Sequence, residues 1–188
     1  VSQGDLIIND AFDPAVEWLG SGKDDFSGLG SHQIQRPKLF ISEYIEGSGS
    51  NKAIELHNPS NQAIDLAADG YRLERFSNGS TTGAAITLTG TVAAGDVFVI
   101  ANGGANGAIL AQADLISSAI AHNGDDAYVL YKEQDVVDAF GRVGEDPGSS
   151  WGTGSTSTKD NTLVRLLSVT TGDTVINDAF DPASQWQG

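Results

Sequence analysis

Oxygen-bearing side chains crowd three short stretches of this chain, and their types and spacing pose the first chemical question. Asn123, Asp125 and Asp126 lie within four residues; Asn9, Asp10 and Asp13 lie within five, and Asn177, Asp178 and Asp181 repeat that second arrangement. Calcium gathers six to eight hard oxygens at about 2.3–2.6 Å, which makes Asn123, Asp125 and Asp126 the candidate calcium ligands. None of these stretches matches an EF-hand loop, and each also reads as a turn whose side chain bonds a nearby backbone amide.

The remaining reactive residue types form no constellation. His32, His57 and His122 lack the spacing of a zinc site; His57 is expected to point outward from a strand and His122 to sit in a turn, in solvated or structural roles. Gly47-Ser48-Gly49-Ser50-Asn51 lacks the final glycine of a nucleophile elbow and reads as a hairpin loop. There is no phosphate-binding loop, and Gly152-Thr153-Gly154 opens no helix. Lys52, beside Glu43 or Glu55, is the lysine best placed for a lysine–asparagine amide cross-link, with no asparagine partner identifiable. The expectation is a chain without catalytic residues.

Composition narrows the partners. Asp and Glu number 25 against 10 Lys and Arg, a formal net charge of −15. A phosphate backbone is repelled by such a field, because nucleic-acid affinity rests on Lys and Arg displacing counterions. No direct nucleic-acid partner is expected. Cysteine is absent, so disulfides and thiolate ligands are excluded. No apolar run reaches the ~20 residues that cross a bilayer as a helix. Methionine is absent too, which fits a chain processed or excised from something longer.

One element occurs twice. Residues 4–20 read GDLIINDAFDPAVEWLG and residues 172–188 read GDTVINDAFDPASQWQG, identical at 12 of 17 positions and offset by 168. Trp18 and Trp186 fall in register. These tryptophans and Trp151 could stack on sugars, but two of them sit in a duplicated element, where an anchoring role fits better. The assembly residues expected from the repeat are Phe12, Asp13, Pro14, Trp18, Phe26 and Leu29 in the first copy and its tail, and Phe180 and Trp186 in the second. Both copies cannot fill one groove at once. The second copy, which follows directly from residues 163–169, is expected to pack on its own domain, leaving residues 4–32 for a neighbouring molecule or a separate edge.

The elements that must carry these residues are strands. Alternating or continuous apolar runs at 39–45, 53–57, 63–66, 71–76, 85–88, 96–101, 127–131, 136–140 and 162–167 are separated by Gly, Asn, Asp, Ser and Pro. The run at 96–101 is nearly continuous and predicts burial on both faces; only 108–121 could hold a turn or two of helix. The pattern predicts an all-β, antiparallel β-sandwich. Residues 1–37 are expected to be the closing segment of a preceding repeat or a donor segment, and residues 38–188 the domain.

Ordered stretches along the domain carry a family likeness. LFISEYIEGSGSNKAIELHNPSNQAIDLAADGYRLERFSNG at 39–79 is followed by L-x-G-x-V-x-x-G-D-x-F-V-I-A at 88–101 and HNGDDAYVL at 122–130, then VVDAFGRVG at 136–144 and TLVR at 162–165. This order resembles the lamin-tail domain of secreted bacterial proteins. The resemblance implies an immunoglobulin-like sandwich that is not itself an enzyme. Such domains typically close with F-D-P-x-x-E-W and then D-x-F-x-x-L-G-x-H. Here the full closing sequence, from Phe12 through Trp18 and from Asp25 to His32, precedes the domain, whereas the second copy ends at Gly188. The combined expectation is an extracellular or cell-surface structural module whose partners are copies of itself or adjacent repeats. The alternative is an accessory domain of a secreted nuclease or other hydrolase.

Overall fold

Residues 37–188 are described by the structure, a computed structural model. Each of the nine expected runs forms a strand. In order along the chain these are β1 (Phe40–Glu46), β2 (Lys52–His57), β3 (Ile64–Asp65), β4 (Tyr71–Phe76), β5 (Ala84–Thr87), β7 (Val97–Ala101), β9 (Ala127–Lys132), β10 (Asp135–Phe140) and β11 (Thr162–Arg165). Three two-residue strands escape the pattern because they are too short to show a period: β6 (Thr91–Val92), β8 (Leu115–Ile116) and β12 (Trp186–Gln187). The helical stretch shrinks to one turn, α1 (Gly107–Leu110), started by the Asn106 side chain accepting from the amides of Ala108 and Ile109.

One sheet runs β12-β11-β1-β2-β7-β8, a second runs β10-β9-β4-β5, and β3 pairs with β6 in a short ribbon. Pairings are antiparallel except that of β7 with β8. The core fills the space between the two larger sheets, with Tyr44, Ile54, Leu56 and Ile100 from one meeting Leu73, Tyr128, Leu130 and Phe140 from the other. Burying one such side chain contributes about 1.5–3 kcal/mol. A smaller cluster on the far side of β9 gathers Phe76, Ala127, Val129 and Trp151, with Ile176 and Phe180 laid over it. This all-β arrangement is an immunoglobulin-like sandwich.

The expectation that 96–101 is buried on both faces is corrected. Val97 is 38% exposed, while Phe98 and Ile100 face the core. On the outer face, among the described residues, Ala108 and Ile109 of α1 line an open groove with Val97, Val99 and Ile45. An apolar run therefore arises from a half-covered face.

Two bulges bend the sandwich at one corner. The β1–β2 register shifts between Ile41 and Glu43, and the β9–β10 register shifts between Val136 and Asp138. An extra residue in a strand re-aims the side chains around it. Here the bulges lie beside Asp138 and the backbone of Ile41, which join across the corner: the Ile41 amide donates to the Asp138 carboxylate at 2.7 Å.

Candidate functional site: the seat of the closing segment

Residues 172–188 lie against their own domain at this corner. The Asp173 amide donates to Asp138 Oδ1 at 2.7 Å. Further along, the Ile176 carbonyl accepts from the Val143 amide at 2.7 Å, and the Asn177 carbonyl accepts from Arg142 Nε at 2.9 Å. Asp181 then accepts from the Ala183 amide at 3.0 Å and starts a short 3-10 turn, Pro182–Ser184, whose proline is buried. The segment ends as β12, in which Trp186 pairs with Arg165 and Gln187 with Val164.

Aromatic rings hold the segment from both sides. Trp186, 2% exposed, meets the Phe140 ring edge-on at 5.0 Å between centroids. Phe180 lies between Phe140 at 5.1 Å and Trp151 at 5.7 Å, in edge-to-face geometry with both. Each such pair contributes about 0.5–1.5 kcal/mol beyond area burial. The stack continues inward: Phe140 lies on Tyr44 at 4.3 Å, and Tyr44 on His122 at 4.4 Å.

A buried ion pair closes the seat. Arg165 and Asp138 are 5% and 0% exposed, and their charged groups are 2.7 Å apart. The guanidinium also donates to the Ile41 carbonyl and, at 2.5 Å, to Gln185 Oε1, and it stands 4.8 Å from the Trp186 ring centroid. Burial pushes the Asp138 carboxyl up from its ordinary value, while Arg165 and the amides of Ile41 and Asp173 pull it down. One carboxylate thus ties β1, β10, β11 and the closing segment together.

Gly172 fits this seat because it has no side chain. A β-carbon there would overlap the Val137 carbonyl oxygen and stand 2.8 Å from the Asp138 carboxyl carbon, both fixed by the bulge. Gly172→Ala is expected to cost about 1–3 kcal/mol, the range for overpacking. Urea unfolding checks this; a change below about 0.5 kcal/mol would mean that residues 172–173 are not held at Asp138.

Of the expected assembly residues, Phe180 and Trp186 lie among the described residues, and the structure brings the two together around Phe140. Phe12, Asp13, Pro14, Trp18, Phe26 and Leu29 lie outside the described residues, as do Asn9, Asp10 and His32. Asp126 is 1% exposed and engaged: Arg75 donates to it at 2.8 Å and the Asn78 amide at 3.1 Å. Asp125 keeps one buried oxygen without a hydrogen-bond partner, and its carboxyl is pushed up by burial and by Asp126. Asn123 is exposed. Among the described residues no group of three or more His, Cys, Asp or Glu side chains is placed to hold a metal ion. In the other stretch Asp181 caps its turn, and Asn177 contributes a carbonyl to Arg142.

His122 is not solvated. It is fully buried, with Nδ1 2.7 Å from the Tyr128 hydroxyl and Nε2 2.8 Å from the Ile45 carbonyl. A carbonyl only accepts, so Nε2 carries the proton and Nδ1 accepts from Tyr128. His57 is half-buried, edge-on to Phe40. Lys52 pairs across the hairpin with Glu46 and donates to the Gly47 carbonyl, so its carboxylate partner is Glu46 and not Glu43 or Glu55. Glu46 lies directly opposite Lys52 in the β1–β2 register.

The residues that sequence reasoning missed are Asp138, Arg165 and Phe140. A lone acid in VVDAF and a lone arginine in TLVRLL, each inside an apolar run, were the available signal. Opposite charges that are both surrounded by apolar neighbours on strands tend to be buried together.

The fold and the seat define a β-sandwich closed by its own terminal segment, of the immunoglobulin-like class. The lamin tail domain family model matches residues 32–144, and the chain belongs to that family, one of non-catalytic immunoglobulin-like domains. β11 and the closing segment lie beyond the matched residues and complete the larger sheet. Among curated proteins, none matches the chain. No helix among the described residues is long and apolar enough to cross a membrane.

Proposed function

We propose that this domain is a non-catalytic, extracellular assembly module that associates end to end with copies of itself or adjacent repeats through its duplicated terminal segment. One observation carries the reading. A segment seated on the sandwich by two aromatic rings and a buried ion pair has a second copy, identical at 12 of 17 positions, at the other end of the same chain. A terminal segment that completes a sheet supplies main-chain hydrogen bonds to whichever domain receives it. A head-to-tail contact of that kind does not close on itself and extends into chains. The strong net negative charge favours this binding by shaped apolar anchors over binding to polyanions.

Size-exclusion chromatography with light scattering tests the proposal on the 188-residue chain at increasing concentration. The expected result is a mass that grows past one chain with concentration, and a single-chain mass once residues 1–33 are removed. A strictly monomeric 188-residue chain at millimolar concentration would remove non-covalent association.

A further inference from the structure

The two copies of the terminal element differ at five positions, and the structure shows what those positions do in the seated copy. Thr174, Val175, Ser184 and Gln187 are exposed. The residues that enter the seat are the same in both copies: Gly172 matches Gly4, Asp173 matches Asp5, Ile176 matches Ile8, Phe180 matches Phe12, Pro182 matches Pro14 and Trp186 matches Trp18. The fifth difference is the informative one. Gln185, the one residue of the five that is not exposed, accepts from Arg165 at 2.5 Å, and its counterpart is Glu17. Divergence has fallen on exposed positions except at Gln185, whose counterpart in the first copy is a carboxylate.

We propose that the seat formed by Asp138, Phe140, Trp151 and Arg165 accepts residues 4–20 of a second copy in place of its own residues 172–188, with Glu17 of the incoming segment pairing to Arg165. This rests on the end-to-end reading above and specifies its acceptor and its mode. The mode is exchange, because Trp186 and Phe180 already fill the space that Trp18 and Phe12 would need. The resident segment has the advantage of its tether, which gives it an effective concentration on the millimolar scale. The incoming segment would bring a carboxylate to Arg165 where the resident offers a neutral amide oxygen, so both partners of the bond are ionised in place of one. It also carries Leu19 where the resident has the exposed Gln187.

The probe is a fluorescein-labelled synthetic peptide of residues 4–20, titrated against the 188-residue chain and followed by anisotropy. Binding is expected, with release by excess unlabelled peptide of residues 172–188. Trp18→Ala in the peptide should weaken binding about thirtyfold or more, as a buried aromatic anchor does. Glu17→Gln should weaken it roughly threefold to tenfold. The Trp186→Ala chain, whose resident segment has lost its anchor, should bind the peptide at least tenfold more tightly. If that variant does not fold, the unmodified chain decides alone, through the Trp18 and Glu17 dependence. No binding by the unmodified chain and none by a folded Trp186→Ala chain would overturn the proposal, as would binding indifferent to Trp18→Ala. Failure here is distinguishable from failure of the end-to-end reading. Concentration-dependent association without peptide competition keeps that reading and moves its acceptor elsewhere. Peptide binding by a chain that stays monomeric keeps the seat and removes end-to-end association.

Discussion

Asp138→Ala is expected to cost about 3–5 kcal/mol. The carboxylate faces the Arg165 guanidinium at 2.7 Å and accepts from the amides of Ile41, Ala139 and Asp173. Its removal leaves a buried cation without a countercharge, which typically costs about 3–5 kcal/mol. That range already includes the two inter-element amides left without their acceptor, each costing about 1 kcal/mol or more when unpaired. For a chain of this size the loss corresponds to a fall in Tm of about 10 °C. Arg165→Ala should cost a similar amount for the converse reason. The double substitution Asp138→Leu with Arg165→Met should cost less than the two single losses added together, because neither charge is then left buried alone. Urea unfolding of the four proteins measures this coupling. A loss below about 1 kcal/mol for Asp138→Ala would mean that the pair is solvated and does not hold the corner.

Acid should unfold this domain through His122. The imidazole is pushed down to about 3 by burial, and the nearby Lys52 and Arg75 charges act in the same direction. In the unfolded chain it takes up a proton near pH 6.5, and in the fold only near pH 3. Between those values the unfolded state binds one more proton, so stability falls by about 1.4 kcal/mol per pH unit as pH drops. The contribution of neutral His122 is fully present above pH 6.5, and about 2 kcal/mol of it is gone at pH 5. Glu43, Asp125 and Asp138 are raised by burial and act with the opposite sign, binding protons in the fold before the unfolded chain does. The His122 share is therefore read from a difference. His122→Gln should be less stable than the parent at pH 7, since the Tyr128 and Ile45 bonds are imperfectly replaced, and the two should converge toward pH 5. Parallel loss of stability in both proteins would clear His122.

Strand positions were legible because the core takes every second residue and leaves the rest to water. Tyr71 and Leu73 in β4 are buried and alternate with the half-buried Arg72 and Glu74, and that window shows the period. The two-residue strands were not legible, since two residues have no period; β12 exists because Trp186 is drawn to Phe140 and Arg165. The seat was half legible. Duplication marked Phe180 and Trp186, but their receptor is assembled from β1, β10 and β11, with 124 residues separating Ile41 from Arg165. Two bulges, each a shift of one residue against a partner strand, aim the groups that meet there, and pairing register is not written in one strand alone. The burial of His122 was not legible for a related reason. Its turn is covered by Tyr44 and Tyr128, which arrive from different sheets.

The order β12-β11-β1 also decides how the domain answers a pull. β1 and β12 each lie antiparallel to β11 and so run in the same direction. Gln187 and Glu43 stand at the level of Val164, which puts the end of β12 partway along β1 and well past the entry of the chain at Phe40. Tension between Lys38 and Gly188 therefore drags β1 and β12 in opposite directions along β11. The interstrand bonds are loaded together in shear, with the Trp186 ring and the Arg165 clamp sharing the force, and they do not peel away one at a time. A strand of two residues, negligible as a share of the sheet, becomes the bolt that a stretched domain has to shear first.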